Sequence, residues 1–420
     1  MGYLEVLRAH PHFRRLWLAD VASLFGDWLN TLAIYALVRS ITDSPAALGL
    51  VFIAKLAPNV FASPFAGLLV DRFDRRRLMI AADLVRAAIV SCFLLLDAGS
   101  WVGWVYLLAV AQVTVSAVFA PARSAATPNV VPPEALATAN ALGAITWSTI
   151  LTVGAGLGGI LVDLLGTQAV FLIDAGTYLV SALLIGRTVI PQSTERGAAG
   201  AGAVAAVLRG IGEGVRYMRA HPGVGRIACS KAAWSLGAGA VYYLYVLVAP
   251  TIFPEAPSTA IGVVYAAAGL GTGIGPVLAR AWLPERLWAR NLGFVLAAGG
   301  SAYVLFGLLP WELATVALIT VAGSAGGANW VMSTVLLQQR TEDRYRGRVF
   351  ANEMLVLTLC NTVAIAAASL LLEAGVGIRD TFVTFALAEV CIGLAFAFWL
   401  RGGEDPVRVP ADRAADQPMR

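Results

Sequence analysis

Asp20, Asp27 and Asn30 interrupt an otherwise apolar run near the start of the 420-residue chain. Seven residues separate the two aspartates, so a helix sets them on one face, and Asn30 follows one turn beyond Asp27. An ionisable group at mid-bilayer costs at least about 2.5 kcal/mol, so its presence needs a reason. Desolvation favours the neutral form of a carboxyl group. A carboxyl that gains and loses a proton inside a membrane is what a proton carrier requires. Two other readings of Asp27 stay open: an ion pair with Lys55, at comparable depth in the next apolar run, and hydrogen bonding to neighbouring helices. Asp174, in a later run, caps or pairs structurally or faces the same interior. Lys55 and Lys231 are the only lysines. Lys231 lies near the end of its run and can snorkel, whereas Lys55 cannot easily do so. Asp27, Asn30, Lys55 and Asp174 are the candidates for proton coupling or for lining a cavity.

The second constellation is "GLLVDRFDRRR", residues 67–77, with six charges in the seven positions from Asp71 to Arg77. A carboxylate near a helix N-terminus is favourable by about 0.3–1 kcal/mol when exposed and up to about 2 when partly buried. Asp71 with Arg72 can therefore latch onto the start of another helix, with Gly67 permitting close approach. Arg75, Arg76 and Arg77 read as a topology anchor, able to hold anionic lipid at roughly 1 kcal/mol per basic residue. Asp83 and Arg86, three apart on the following run, pair locally near this loop. Arg123, at the end of the fourth run, anchors at the same surface or joins the charge network there.

These groups must be held by apolar elements. The chain is 58% hydrophobic and 13% charged, with mean hydropathy +0.74; a soluble domain carries about 25% charged residues. Runs such as "AAIVSCFLLL" do not alternate as barrel strands would, so the chain is expected to be an all-α integral membrane protein. Twelve transmembrane helices are expected, at about 15–38, 46–70, 78–97, 101–121, 139–162, 168–190, 227–250, 258–281, 289–309, 311–335, 350–373 and 381–400. Most of the 30 Lys and Arg fall at the N-terminus, in even-numbered loops or in the tail, which puts both termini in the cytoplasm. The polar stretch 191–226 divides the spans into six plus six. It begins as flexible linker and continues as a stretch suited to a helix on the inner membrane surface. The expected units are 1–190, a linker 191–226, 227–401 and a disordered cytoplasmic tail 402–420.

Other signals are weak. "GAGLGG" at 154–159 satisfies G-x-G-x-x-G but lies mid-span with no strand before it, so it reads as helix packing, as does "GLGTGIGP" at 269–276. Trp28, Trp147, Tyr242, Tyr243, Tyr245 and Trp330 could line an apolar path. The four cysteines stand singly in apolar runs, and His10 and His12 read as surface residues, so no metal is expected. No P-loop, H-E-x-x-H or G-x-S-x-G occurs, which argues against ATP drive and against an enzyme. No cofactor is expected.

The 67–77 stretch resembles the loop between the second and third helices of the major facilitator superfamily, G-x-x-x-D-R/K-x-G-R-R/K-R/K, with Asp74 standing where that family has Gly. "FRRLWLADVASLFGDWL", "APARSAATPNVVPPEALATANAL", "FLIDAGTYLVSALL" and "LLQQRTEDRYRGRVFANEM" are similar in order and spacing to its proton-linked exporters of macrolides and enterobactin. The resemblance implies two six-helix bundles around a central pathway, alternating access, and Asp71 latching the bundles on the inside. The function it implies is proton-coupled efflux of an amphipathic small molecule across the cytoplasmic membrane by a monomer, with protons and membrane lipids as further partners. A lipid or solute transporter of the same fold, or a non-transporting sensor or scaffold, is the alternative.

Overall fold

The computed structural model describes residues 2–191 and 203–401. The flexible part of the linker and the tail from 402 onward fall outside the described residues, as do the side chains of Gly67 and Asp71. All regular structure among the described residues is helical: α1 (Tyr3–Ala9), α2 (Pro11–Ile41), α3 (Pro45–Arg72), α4 (Arg75–Cys92), α5 (Val102–Val130), α6 (Pro133–Gly186), α7 (Ala203–Ala220), α8 (Pro222–Ala228), α9 (Ser230–Ile252), α10 (Pro257–Trp282), α11 (Trp288–Leu308), α12 (Trp311–Arg340), α13 (Asp343–Glu373) and α14 (Ile378–Arg401). A helix is the only open-ended element that satisfies all its backbone groups in hydrocarbon. Pro11, Pro45, Pro133 and Pro257 open four of these helices, where a missing N–H costs nothing. Large apolar side chains such as Leu84, Leu107, Val363 and Phe398 face outward, as a surface that meets lipid requires.

Ten separate stretches among the described residues are long and apolar enough to cross a membrane. That is fewer than the twelve expected from sequence, and α3 and α6 account for the difference. Only the Pro45–Asn59 part of α3 enters the tally, as a shorter apolar helix. The 54 residues of α6 would run about 80 Å if straight, against a hydrocarbon layer of about 30 Å. They are not straight: Gly166 breaks the helix at φ 81°, a left-handed conformation that glycine adopts without penalty. Both ends of α6 return to the start of α2. Ala135, Ala139 and Leu142 pack with Phe13, while the Val189 N–H just beyond α6 donates to His12 Nδ1 (3.1 Å).

Glycine runs set the close packing. Gly154 and Gly158 of α6 face Trp28 and Leu29 of α2. A Cβ on Gly159 would strike the Ser258 carbonyl of α10, and one on Gly262 of α10 would lie 2.6 Å from the Ala155 carbonyl. On α10, Gly269 and Gly273 meet Thr152 and Ser148 of α6, while Gly271 and Gly275 meet Thr320 and Ser324 of α12. Helix α10 is thus sandwiched between α6 and α12, with small residues on both faces.

Hydrogen bonds join the first six expected spans to the last six at the end expected to face outside. Asp163 at the turn of α6 accepts from the Ser258 and Thr259 N–H groups (3.2 and 2.6 Å), so it caps α10. Glu373, ending α13, accepts from Ser44 Oγ (2.7 Å) and the Ala46 N–H (3.3 Å), so it caps α3. Tyr243 Oη donates to the Pro45 carbonyl (2.7 Å), and Arg39 donates to the Val246 carbonyl (3.2 Å). At the opposite end, α7 docks on α13: Glu213 pairs with Arg348 (2.8 Å), Asn352 donates to the Ile211 carbonyl (3.1 Å), and Tyr217 stacks on Tyr345 (4.5 Å). Replacing both acidic caps, Asp163→Asn with Glu373→Gln, is expected to shift the population toward an open outer end by a few-fold. Labelling of a cysteine placed at Ala47, buried at the same end, in a chain whose native cysteines are replaced, measures it; unchanged labelling would assign the closure to the glycine seam alone.

Candidate functional site

The site begins with the contact of α2 on the second half of α6. Gly26 lies so close to Thr177 and Asp174 that a Cβ there would strike both side chains. This brings Asp27, the next residue, within reach of Tyr178, whose hydroxyl donates to Asp27 Oδ1 (2.5 Å). Gln112 of α5 donates to the same hydroxyl (2.9 Å). From α4, Arg86 places Nη1 4.0 Å from Asp27 Oδ2 and forms an ion pair with Asp83. Ser181 donates to the other Asp83 oxygen (2.6 Å). The guanidinium lies over the faces of Phe119 and Tyr178, 4.6 and 4.4 Å from the ring centres. Aromatic faces attract a desolvated cation and help to offset its lost hydration.

Exposure differs sharply within this network. The Arg86 side chain is 2% exposed and Asp27 34%. Within this network Asp27 combines a tie to the buried pair with partial exposure. Lys55 of α3 donates to Thr31 Oγ1 (2.7 Å), and Thr31 donates to the Asp27 carbonyl (2.7 Å). The ammonium is therefore held one turn from the Asp27 carboxylate, with no ion pair between them among the described residues. Asp174 is fully buried; one oxygen accepts from Thr177 (3.3 Å), and Oδ2 has no hydrogen-bond partner. Asn30 is fully buried too, and its amide has no partner in the structure. Asp27, Asp83 and Asp174 together face Arg86 and Lys55. Three carboxyls stand against two fixed cations, so one carboxyl must take up a proton or be hydrated.

Asp83 and Arg86 pair locally, as their spacing suggests, and Arg86 also reaches Asp27. The loop makes other contacts. Asp74 caps α4 by accepting from the Arg77 N–H (2.8 Å), which gives the residue standing in place of Gly a structural task. Arg75 donates to the Ala125 carbonyl (2.9 Å) in the last turns of α5, and Arg76 to the Ile185 (3.3 Å) and Gly186 carbonyls at the end of α6. Guanidinium groups there add donors to carbonyls near the helix C-termini and complement the helix dipoles. Arg77 is exposed. Arg72 is exposed and engaged, while the latch role of Asp71 and Gly67 falls on side chains outside the described residues. Arg123 pairs with Asp20 (3.1 Å) and lines a cavity of about 270 Å³ with Trp17, Thr127, Asn140 and Trp147.

The second half holds two acids that the sequence reading did not single out. Lys231 does not snorkel; it is buried and pairs with Glu353 of α13 (3.0 Å), with Thr334 accepting another bond (3.0 Å) and the Trp330 ring 4.4 Å away. Glu389 lies 2% exposed on α14. Both were visible as carboxylates inside apolar runs. Of the aromatic candidates, Trp28 touches Tyr265 (5.8 Å), Tyr245 bonds Tyr303 (2.9 Å), and Trp147 lines the cavity.

Apolar helices of spanning length around buried, paired charges define a multi-pass membrane protein, and its fold is that of the major facilitator transporters. The fold resembles a bacterial homologue of the human lysosomal transporter Spinster in an inward-facing, occupied conformation (TM-score 0.74, 15% identity, covering 93% of this chain and 96% of that one). It also resembles the nucleoside transporter NupG (TM-score 0.70, 14% identity, 93% and 99%). The sequence model of the transmembrane secretion effectors matches residues 6–417, and the chain belongs to that family of major-facilitator proteins. Among its relatives are the MFS-type transporter YfiS of Bacillus subtilis (25% identical over 386 residues, 90% of each chain) and Rv0037c of Mycobacterium tuberculosis (29% over 411 residues, 92% and 91%). The enterobactin exporter EntS of Escherichia coli O9:H4 is 27% identical over 370 residues, 82% of each chain.

Arg86→Ala would leave Asp83 buried without its cation and Asp27 without its neighbour. Breaking a buried pair in this way costs about 3–5 kcal/mol. A strongly lowered unfolding temperature in detergent is expected, partly restored by Arg86→Ala combined with Asp83→Ala; a thermal melt of the three proteins measures it.

Proposed function

We propose that this chain is a secondary active transporter of the cytoplasmic membrane that exports an amphipathic small molecule, of drug, macrolide or siderophore type, in exchange for inward-moving protons. It works as two six-helix bundles, 1–190 and 227–401, joined by the 191–226 linker, with both termini and the 402–420 tail in the cytoplasm. The observation that carries this reading is the charge balance around Asp27. One carboxyl in excess of the fixed cations, reached from the interior through Asp27, is a group that can exchange a proton during a cycle. The outer-end caps support the alternating part of the reading, because bonds to exposed helix starts are readily broken and remade. The enterobactin exporters among the relatives support export, and the exposed aromatic rings of Trp147 and Trp330 suit an amphipathic cargo.

Asp27 carries the proton in this scheme, with Arg86 beside it. Asp174 and Lys55 complete the local balance, and Asn30 offers polar groups for the cargo or for water. Arg72, Asp71 and Gly67 time the inner gate, and Arg75 and Arg76 fix the helix ends beside it. The chain acts as a monomer, with annular lipids against its apolar outside.

Cells producing the protein are expected to tolerate several-fold more of at least one compound in an amphipathic drug panel than cells without it. Inverted vesicles should accumulate that compound when a proton gradient is imposed, and Asp27→Asn should abolish this gradient-driven accumulation. Full coupled accumulation by Asp27→Asn would remove Asp27 from the mechanism. Binding without any flux would instead favour a sensor.

A further inference from the structure

Glu389 is the twelfth of the 24 residues of α14, within "FALAEVCIGLAF". It is 2% exposed, and Oε2 has no hydrogen-bond partner. The space around it is made by small residues from neighbouring helices. A Cβ on Gly237 of α9 would collide with Glu389 Cβ, and one on Gly299 of α11 would lie 3.4 Å from Glu389 Oε1 and 2.9 Å from Ala325 of α12. Helices α9 and α11 therefore close over a carboxyl group whose Oε2 finds no donor.

No cation compensates it among the described residues. On α9, Lys231 is committed to Glu353 of α13 at 3.0 Å. On α8, Arg226 lies over the Trp399 ring. The titratable groups that face Glu389 are Tyr242 of α9 and Tyr303 of α11, and Tyr303 shares its hydroxyl with Tyr245 (2.9 Å). Neither carries positive charge. A bare carboxylate in such a place is costly, whereas a neutral carboxylic acid costs only a polar burial. Asp27 has a cation nearby and partial exposure; Glu389 has neither. A glutamate kept where glutamine or leucine would pack more cheaply points to the proton itself as the ligand.

Building on the proton-coupled reading above, we infer that Glu389 is a second proton-binding carboxyl, which holds its proton while α9 and α11 are packed over it and exchanges it when they part. The two halves then each carry one protonatable site of different character: Asp27, balanced by arginine and open to the interior, and Glu389, sealed and uncompensated.

Infrared spectroscopy of the full chain in lipid vesicles tests this with protons as the only ligand. The wild type and Asp27→Asn should show a buried, protonated carboxylic C=O band in mildly acidic buffer that disappears reversibly in alkaline buffer. Glu389→Gln, nearly the same in shape, should lack that band entirely, and Glu389→Asp should retain a shifted one. A spectrum identical in wild type and Glu389→Gln would overturn the inference. So would a Glu389 band indifferent to buffer pH, since it would mark a permanently neutral packing residue. The outcome is separable from that of the functional reading. A wild type without proton-driven transport but with a titrating Glu389 band would refute coupling alone; proton-driven transport without the band would refute the Glu389 site alone.

Discussion

Charge placed in hydrocarbon must be neutralised where it sits, and that cost organises the interior of this chain. Arg86 answers it for two acids at once, by an ion pair with Asp83 and by standing 4.0 Å from Asp27. The faces of Phe119 and Tyr178 complete its surroundings, and Gln112 and Ser181 supply the remaining donors. These groups arrive from four helices, so α2, α4, α5 and α6 are held in rotation around one guanidinium. Lys231 does the same on a smaller scale for α9, α12 and α13 through Glu353 and Thr334. Removing one member of such a set is far more damaging than never having had it, because the partner stays buried.

The contacts between the first and last six expected spans obey a different economy. Along α6 and α10 the helices come close through Gly159, Gly262 and Gly269, and this seam is a short-range packing contact. At the closed end the joints are exposed acids on helix starts, Asp163 on α10 and Glu373 on α3. Water can replace an exposed cap at little cost, whereas it cannot enter a glycine seam without parting the helices. The strong interactions therefore lie within each set of helices and the exchangeable ones between them. That division is what two bodies need if they are to rock without unfolding.

The sequence made the membrane class, most of the apolar runs and the charged residues legible, because an apolar run of about 20 residues and an intramembrane carboxylate are both local signals. It did not make the partners legible. Lys55 looked like the match for Asp27 by depth, yet the rotation of α3 delivers it to Thr31 and leaves Arg86 beside the carboxylate. Helix rotation is settled by packing, here by Gly26 against Thr177, and no spacing within one run encodes it. The loop at 67–77 shows the reverse case. Asp74 departs from the family's glycine, and its reason is entirely local: it caps α4. Arg75 and Arg76 read as a topology anchor, and the ends of α5 and α6 present carbonyls to them that only the folded chain brings near. Glu353 and Glu389 could have been found by the rule that flagged Asp27, since both interrupt apolar runs in the same way.

Both lysines are turned inward, Lys231 sealed under Trp330 and Lys55 tied to Thr31. An acylating reagent that seeks side-chain amines therefore finds no target on the lipid-facing exterior. Covalent tagging of Lys55 would proceed only as fast as the interior admits a molecule of the reagent's size, which makes this one side chain a built-in clock for the opening of the path.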